Sequence, residues 1–213
     1  MPLPPFLLPM QSAVLPAPSS TSSSGAASTG GAPAAFGALP FTMQTQQKSQ
    51  WCWAGVAASV AGFYGTASTV QCAIASGELG LACCPTNSAA AGCNIPWYLD
   101  RALRRVGHFD RMTFTSETFP VVSGEVNGNR PLGARVAWAS SGAHFVILAG
   151  WSIDTSGVEY VDIHDPFYGP TTATYSSFCT SYRSPGDTWS HSYFTAAAPA
   201  SGGGIIAGAP LSA

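Results

Sequence analysis

From Cys52 to Tyr64 the chain reads Cys-Trp-Ala-Gly-Val-Ala-Ala-Ser-Val-Ala-Gly-Phe-Tyr, a run without one charged side chain. Val56, Val60, Phe63 and Tyr64 recur at helical spacing, while Ala54, Gly55, Ala57, Ala58, Ala61 and Gly62 fill the other faces. The pattern predicts a helix over Ala54–Tyr64, opened by Cys52 and stopped at Gly65. Side chains this small suit a helix buried on most sides, with a neighbouring element close against its backbone. Cys52 then falls in the first turn, where unpaired N–H groups and the helix dipole favour a negative charge. Such a setting activates a thiol as a nucleophile. The alternative is a buried cysteine that merely packs.

The segment before it, Gln46-Gln47-Lys48-Ser49-Gln50-Trp51, reads as an extended approach rich in amide side chains. Beyond the helix, residues 66–94 read as loops with one short helix around Val70–Ser76. A further helix is expected from an Asn94 cap, Pro96 in the first turn and the stripe Leu99, Leu103, Val106, ending at Gly107. Arg101, Arg104 and Arg105 fall off that stripe and read as its solvated face.

After Gly107 the pattern turns to strands: Arg111–Thr115, Leu132–Trp138, His144–Trp151, Val158–His164, Thr171–Tyr175 and Trp189–Thr195. Helices first and strands second give an α+β domain in two halves. Residues 1–39 and 196–213 are Pro-, Ser-, Ala- and Gly-rich and read as flexible tails around a domain of 40–195.

Six cysteines divide by position. Cys72, Cys83, Cys84 and Cys93 share one short stretch, and excluding a bridge between adjacent residues leaves 72–83 with 84–93, or 72–84 with 83–93. Zinc is the rival, but the short C-x-x-C spacing is absent. Cys52 and Cys179 stay unpaired in either scheme.

The strands His144–Trp151 and Val158–His164 flank Asp154-Thr155-Ser156-Gly157, which has turn chemistry. With Thr155 and Ser156 at the centre, His144 lies opposite position 167, and Asp165 is two positions away on the same face. A change of one residue in loop length would flip that parity. An imidazole beside a carboxylate has its tautomer and orientation held. With Cys52 against the open end of this hairpin, the thiol attacks, His144 carries the proton and Asp165 orients His144. An oxyanion would be met by the Cys52 N–H and a glutamine amide, with Gln46 preferred and Gln47 and Gln50 as alternatives.

These features resemble the papain-like cysteine peptidases. The closer resemblance is to the bacterial avirulence-type effector peptidases of that superfamily. It rests on Gln50-Trp51-Cys52-Trp53-Ala54, paired Cys83-Cys84, Gly142-Ala143-His144-Phe145-Val146-Ile147 and Asp165-Pro166-Phe167-Tyr168-Gly169. It spans about residues 41–194 and implies a helical lobe on an antiparallel β lobe, with the site in the cleft. It also implies family roles for Gln46, Cys52, His144 and Asp165. The chain lacks Cys-Gly-Ser-Cys-Trp, and its histidine follows the cysteine by 92 residues rather than the about 130–150 of papain and cathepsins. A minimal papain-like domain fits that spacing.

The activity expected is a cysteine endopeptidase acting on protein or peptide substrates, as a monomer, with no cofactor or metal. A transglutaminase or deamidase could use the same residues, and a disulfide-stapled binding module would leave Cys52 structural. Only 8% of residues are charged and the net charge is −2, which argues against nucleic acid. No apolar run is long enough for a membrane span. Phe6-Leu7-Leu8 is too short and proline-broken to read as a signal peptide, so secretion by another route is expected, with the N-terminal tail open to self-cleavage. Of the other histidines, His108 reads as a helix-end cap or solvated and His164 as pointing to the opposite face from Asp165, while His191, between Trp189 and Tyr193, is only a minor candidate for a substitute base. Trp51, Trp53, Trp138, Trp151 and Trp189 read first as core residues, and the resemblance implies an indole over the His144–Asp165 pair, for which Trp189 is the candidate.

Overall fold

The structure, a computed structural model, describes residues 34–66, 69–84 and 92–198. The tail readings for 1–33 and 199–213, and parts of the loop reading (67–68 and 85–91), lie outside those residues. Helices α1 (Cys52–Phe63), α2 (Gln71–Leu79) and α3 (Leu99–Arg105) come first. Six strands follow: β2 (Phe109–Thr113), β3 (Leu132–Ala137), β4 (Ala143–Ile153), β5 (Glu159–Asp165), β6 (Gly169–Thr174) and β7 (Thr188–Thr195). Helices α4 (Phe119–Asn127) and α5 (Tyr175–Ser181) are set among them. The strands run antiparallel in the order β2-β7-β3-β4-β5-β6.

A strand β1 (Ala35–Ala38) pairs with the far end of β4, from Ala35 opposite Ile153 to Ala38 opposite Gly150. This corrects the tail reading of residues 35–39. The segment Ala-Phe-Gly-Ala, with Phe36 exposed, is held there by backbone pairing, and composition carries no trace of that. At the other end, Ala196 donates to the His108 carbonyl.

The sheet has a core on each face. One face, through Phe145, Ile147, Ala149 and Tyr193, packs on α1, α2 and α3. The other, through Leu132, Ala134, Val136, Val146, Leu148, Val161 and Ile163, packs on α4 and α5. Helix α1 is buried from Cys52 to Ala61, as its small residues require. A Cβ added at Gly55 would meet the Pro166 side chain at 3.3 Å and the Gln44 carbonyl at 3.4 Å. Glycine there lets the approach segment and the loop after β5 close on the helix.

The cysteines pair Cys72–Cys84 and Cys83–Cys93, one of the two arrangements expected, which uses all four residues offered to zinc. Cys52 and Cys179 are free. Helix α3 starts at Leu99, later than the Asn94 cap predicted, because Asn94 is engaged elsewhere. Arg101 and Arg105 are not simply solvated: both reach Glu78 of α2, at 3.1 and 2.6 Å. His108 is a cap, its N–H closing the end of α3 on the Leu103 carbonyl at 2.9 Å, but it is not solvated. It is buried, bonds the Ala196 carbonyl and the Thr66 hydroxyl, and stacks on Tyr64.

Candidate active site

Cys52 is the first residue of α1, and four hydrogen bonds fix the turn that carries it. The Trp51 indole donates to the Cys93 carbonyl at 2.7 Å and the Trp53 indole to the Ile95 carbonyl at 3.1 Å. Between them, the Asn94 side chain accepts from the Gln50 N–H at 3.0 Å and donates to the Ser49 hydroxyl at 2.9 Å. Residues on both sides of Cys52 are thus held by segment 93–95, which the Cys83–Cys93 bridge anchors to the end of α2.

His144 stands at the start of β4 and Asp165 at the end of β5. His144 Nε2 and Asp165 Oδ1 lie 2.8 Å apart, and both side chains are almost fully sealed from solvent. Oδ1 also accepts from the Phe167 and Tyr168 N–H groups, at 2.7 and 2.9 Å. Oδ2 accepts from the Tyr182 hydroxyl at 2.9 Å. Four donors on one carboxylate hold its orientation and stabilise its charge.

Burial opposes charge on both groups, and the pair overcomes it. Burial would push Asp165 up, but His144 and the two backbone N–H groups hold it below the ordinary carboxylate value. Burial would likewise push His144 down, but the Asp165 carboxylate and the Cys52 thiol push the imidazole up to about 10. Cys52 therefore lies close enough to act on the ring that Asp165 orients. Since Nε2 is taken by Asp165, Nδ1 is the nitrogen left for the thiol.

Gln46 is fixed by its backbone and by its side chain. Its N–H donates to the Pro166 carbonyl at 2.8 Å, tying the approach segment to the residue after Asp165. Its side-chain amide donates to the Lys48 and Ser49 carbonyls, both at 2.9 Å, while Oε1 is buried without a partner. Gln47 instead donates its backbone N–H to Gln71, and Gln50 donates its own to Asn94.

The indole over the imidazole is Trp138, stacked on His144 at 5.7 Å and 17° between planes. Trp189, the expected cover, packs on Phe178 in the core beneath, with its N–H on the His191 carbonyl. Sequence reasoning missed Trp138, and pairing of the two predicted strands is the signal that finds it: Val136 faces His144 across β3–β4, and two residues on lies the same side. Tyr182 follows α5, which periodicity did not reveal. His164 faces Phe41 on the other side of the sheet, as alternation predicts. His191 lies beside Ser190 and Phe114 rather than against Asp165.

A family model described as papain-like cysteine protease AvrRpt2 matches residues 36–183. No curated protein sequence matches the chain. Among solved structures, the bromelain protease from Ananas comosus in complex with the E64 inhibitor is similar, with 14% identity and a TM-score of 0.45. That match covers 73% of this chain and 94% of bromelain.

Proposed function

Because the chain belongs to the AvrRpt2 family of papain-like cysteine proteases, we propose that it cleaves protein substrates through Cys52, His144 and Asp165. The observation that carries this reading is the sealed His144–Asp165 pair, 2.8 Å apart, on an imidazole that also feels the Cys52 thiol. In the first step the Cys52 sulfur attacks the scissile carbonyl carbon from the N-terminus of α1, where the helix dipole favours charge on sulfur. The imidazolium of His144 protonates the leaving amine, which departs and leaves a thioester. His144, now neutral, takes a proton from water as that water attacks the thioester. Collapse then expels the Cys52 thiolate and releases the product as a carboxylic acid, with the proton already on His144. Asp165 keeps the ring oriented and its charge stabilised throughout.

The oxyanion formed twice in this cycle is met by the Cys52 N–H and the Gln46 side chain. What supports Gln46 is its place, with Pro166 holding its backbone beside Asp165; both its amide N–H groups rest on the Lys48 and Ser49 carbonyls, so one of those bonds opens when the oxyanion forms. The two disulfides support export to an oxidising compartment. Among the described residues no helix is long and apolar enough to cross a membrane.

Mass-spectrometric mapping of a diverse peptide library tests the reading. New amino termini that appear with the wild type and vanish with Cys52→Ala are expected. A one-dalton shift at glutamine, or cross-linked peptides, would instead indicate deamidation or transamidation.

A further inference from the structure

Arg135 is a cation without a counter-charge. Arg101, Arg104, Arg105, Arg111 and Arg130 each reach a carboxylate, and Arg183 lies over the Tyr168 ring at 4.1 Å. Arg135 is half-buried on β3, and among the described residues no carboxylate lies within ion-pair distance of it. Its guanidinium makes one hydrogen bond, from Nη1 to the Ser190 hydroxyl at 2.9 Å. Ser190 returns a bond to the Arg135 carbonyl, so the contact is braced from both ends.

Its place in the sheet points it to the site. Arg135 is opposite Phe145 on β4 and His191 on β7, so all three side chains share one face. Phe145, with Tyr193 of β7, belongs to the cluster that includes Cys52 and Trp53. Phe145 also follows His144 directly. Arg135 therefore stands on the α1-facing side of the sheet, near the end where Cys52 meets His144. Burial lowers its pKa. His191 adds no charge of its own, since burial and the nearby Arg135 hold it below the ordinary histidine value.

A partly desolvated guanidinium with free donors is the group best shaped to take a carboxylate in two parallel hydrogen bonds. Resting on the cysteine-peptidase reading above, we infer that Arg135 is a specificity residue that binds a carboxylate of the substrate next to the scissile bond. The carboxylate is supplied by an Asp or Glu side chain within a few residues of the bond cut, or by the substrate's free C-terminus. Binding compensates a charge that the folded enzyme leaves unpaired.

A proteome-derived peptide library, mapped by mass spectrometry with wild type, Arg135→Gln and Arg135→Glu, tests this. Wild type is expected to enrich Asp or Glu at one position near its cleavage sites. In matched peptides, replacing that acid by its amide should lower kcat/KM about ten- to a hundredfold, the range of a charge-assisted hydrogen bond. Arg135→Gln should lose the preference, and Arg135→Glu should shift it to Lys or Arg at the same position. If the C-terminus is the source, cleavage clusters near chain ends and falls when the peptides are amidated. A cooperative thermal transition near the wild-type midpoint shows that the variants are folded. Cleavage with no acidic preference, or an unchanged profile in Arg135→Glu, overturns this inference and leaves the peptidase reading standing. No cleavage beyond that of Cys52→Ala overturns both.

Discussion

The Tyr182 hydroxyl donates to Oδ2 of Asp165 at 2.9 Å, while Oδ1 serves His144 and two backbone N–H groups. The phenol comes from the end of α5, so a helix on the far side of the sheet sets the rotation of the carboxylate that orients the imidazole. Its own pKa is pushed up by burial and by the Asp165 charge, so it remains a donor. Tyr182→Phe removes one bond to a buried charge, worth about 1.5–3 kcal/mol. We expect kcat to fall about tenfold with KM little changed, read from initial rates on a peptide cut by the wild type.

The Cys83–Cys93 bridge is expected to matter for Cys52 although it touches no substrate. It anchors the segment whose carbonyls hold the Trp51 and Trp53 indoles on either side of the nucleophile. Closing a loop this short is worth about 3 kcal/mol in the chain-entropy description. Replacing Cys83 and Cys93 together by Ser should lower the unfolding free energy by that much and slow alkylation of Cys52. Removing Cys72–Cys84 in the same way should cost similar stability but less reactivity, because no indole bond depends on residue 84.

Linkage predicts a window of maximal stability with distinct causes at its two edges. His144 is raised to about 10 in the folded state. Its contribution is fully present below the unfolded value of about 6.5 and is lost as pH rises through about 10. Asp165 is lowered in the folded state. Its contribution is present above the unfolded value of about 3.9 and is lost as pH falls through its lower folded value. Urea midpoints measured across this range should decline from near-neutral to alkaline pH in the wild type. In His144→Ala that decline should be much reduced, and a slope unchanged by the substitution would contradict the assignment.

Gln46 separates oxyanion stabilisation from nucleophile activation. Removing one such donor costs about a hundred- to a thousandfold in kcat. Gln46→Ala should show a loss of that order while Cys52 alkylation, which forms no oxyanion, continues near the wild-type rate. Equal losses in both would make Gln46 a structural residue of the approach segment.

A turn centred between Thr155 and Ser156 puts His144 opposite 167, whereas the observed loop runs from Ile153 to Glu159 and is centred on Ser156. That difference alone would have turned Asp165 to the wrong face. A bulge at Ala149 shifts the register back, so that Ile147 faces His164 and Leu148 faces Ile163, as the simpler turn requires. The conclusion about His144 and Asp165 therefore held because two irregularities cancel, and alternation cannot report either one. The nucleophile helix was legible because small residues at every face leave few alternatives. Helix α4 was not, with Pro120 at its start and Gly124 inside, and α5 is a Ser- and Thr-rich stretch read as partly strand. Strand β1 is written in backbone hydrogen bonds alone. Tyr182, carried on the unseen α5, shared its fate.

The account turns on the thiol at position 52 working with the imidazole at position 144. Treatment with limiting iodoacetamide at about pH 6, where ordinary thiols barely react, addresses this directly. Peptide mapping should find Cys52 labelled rapidly and selectively over Cys179 in the wild type, with that rate collapsing in His144→Ala. Slow labelling of Cys52 in the wild type, or the same rate in both proteins, would contradict it.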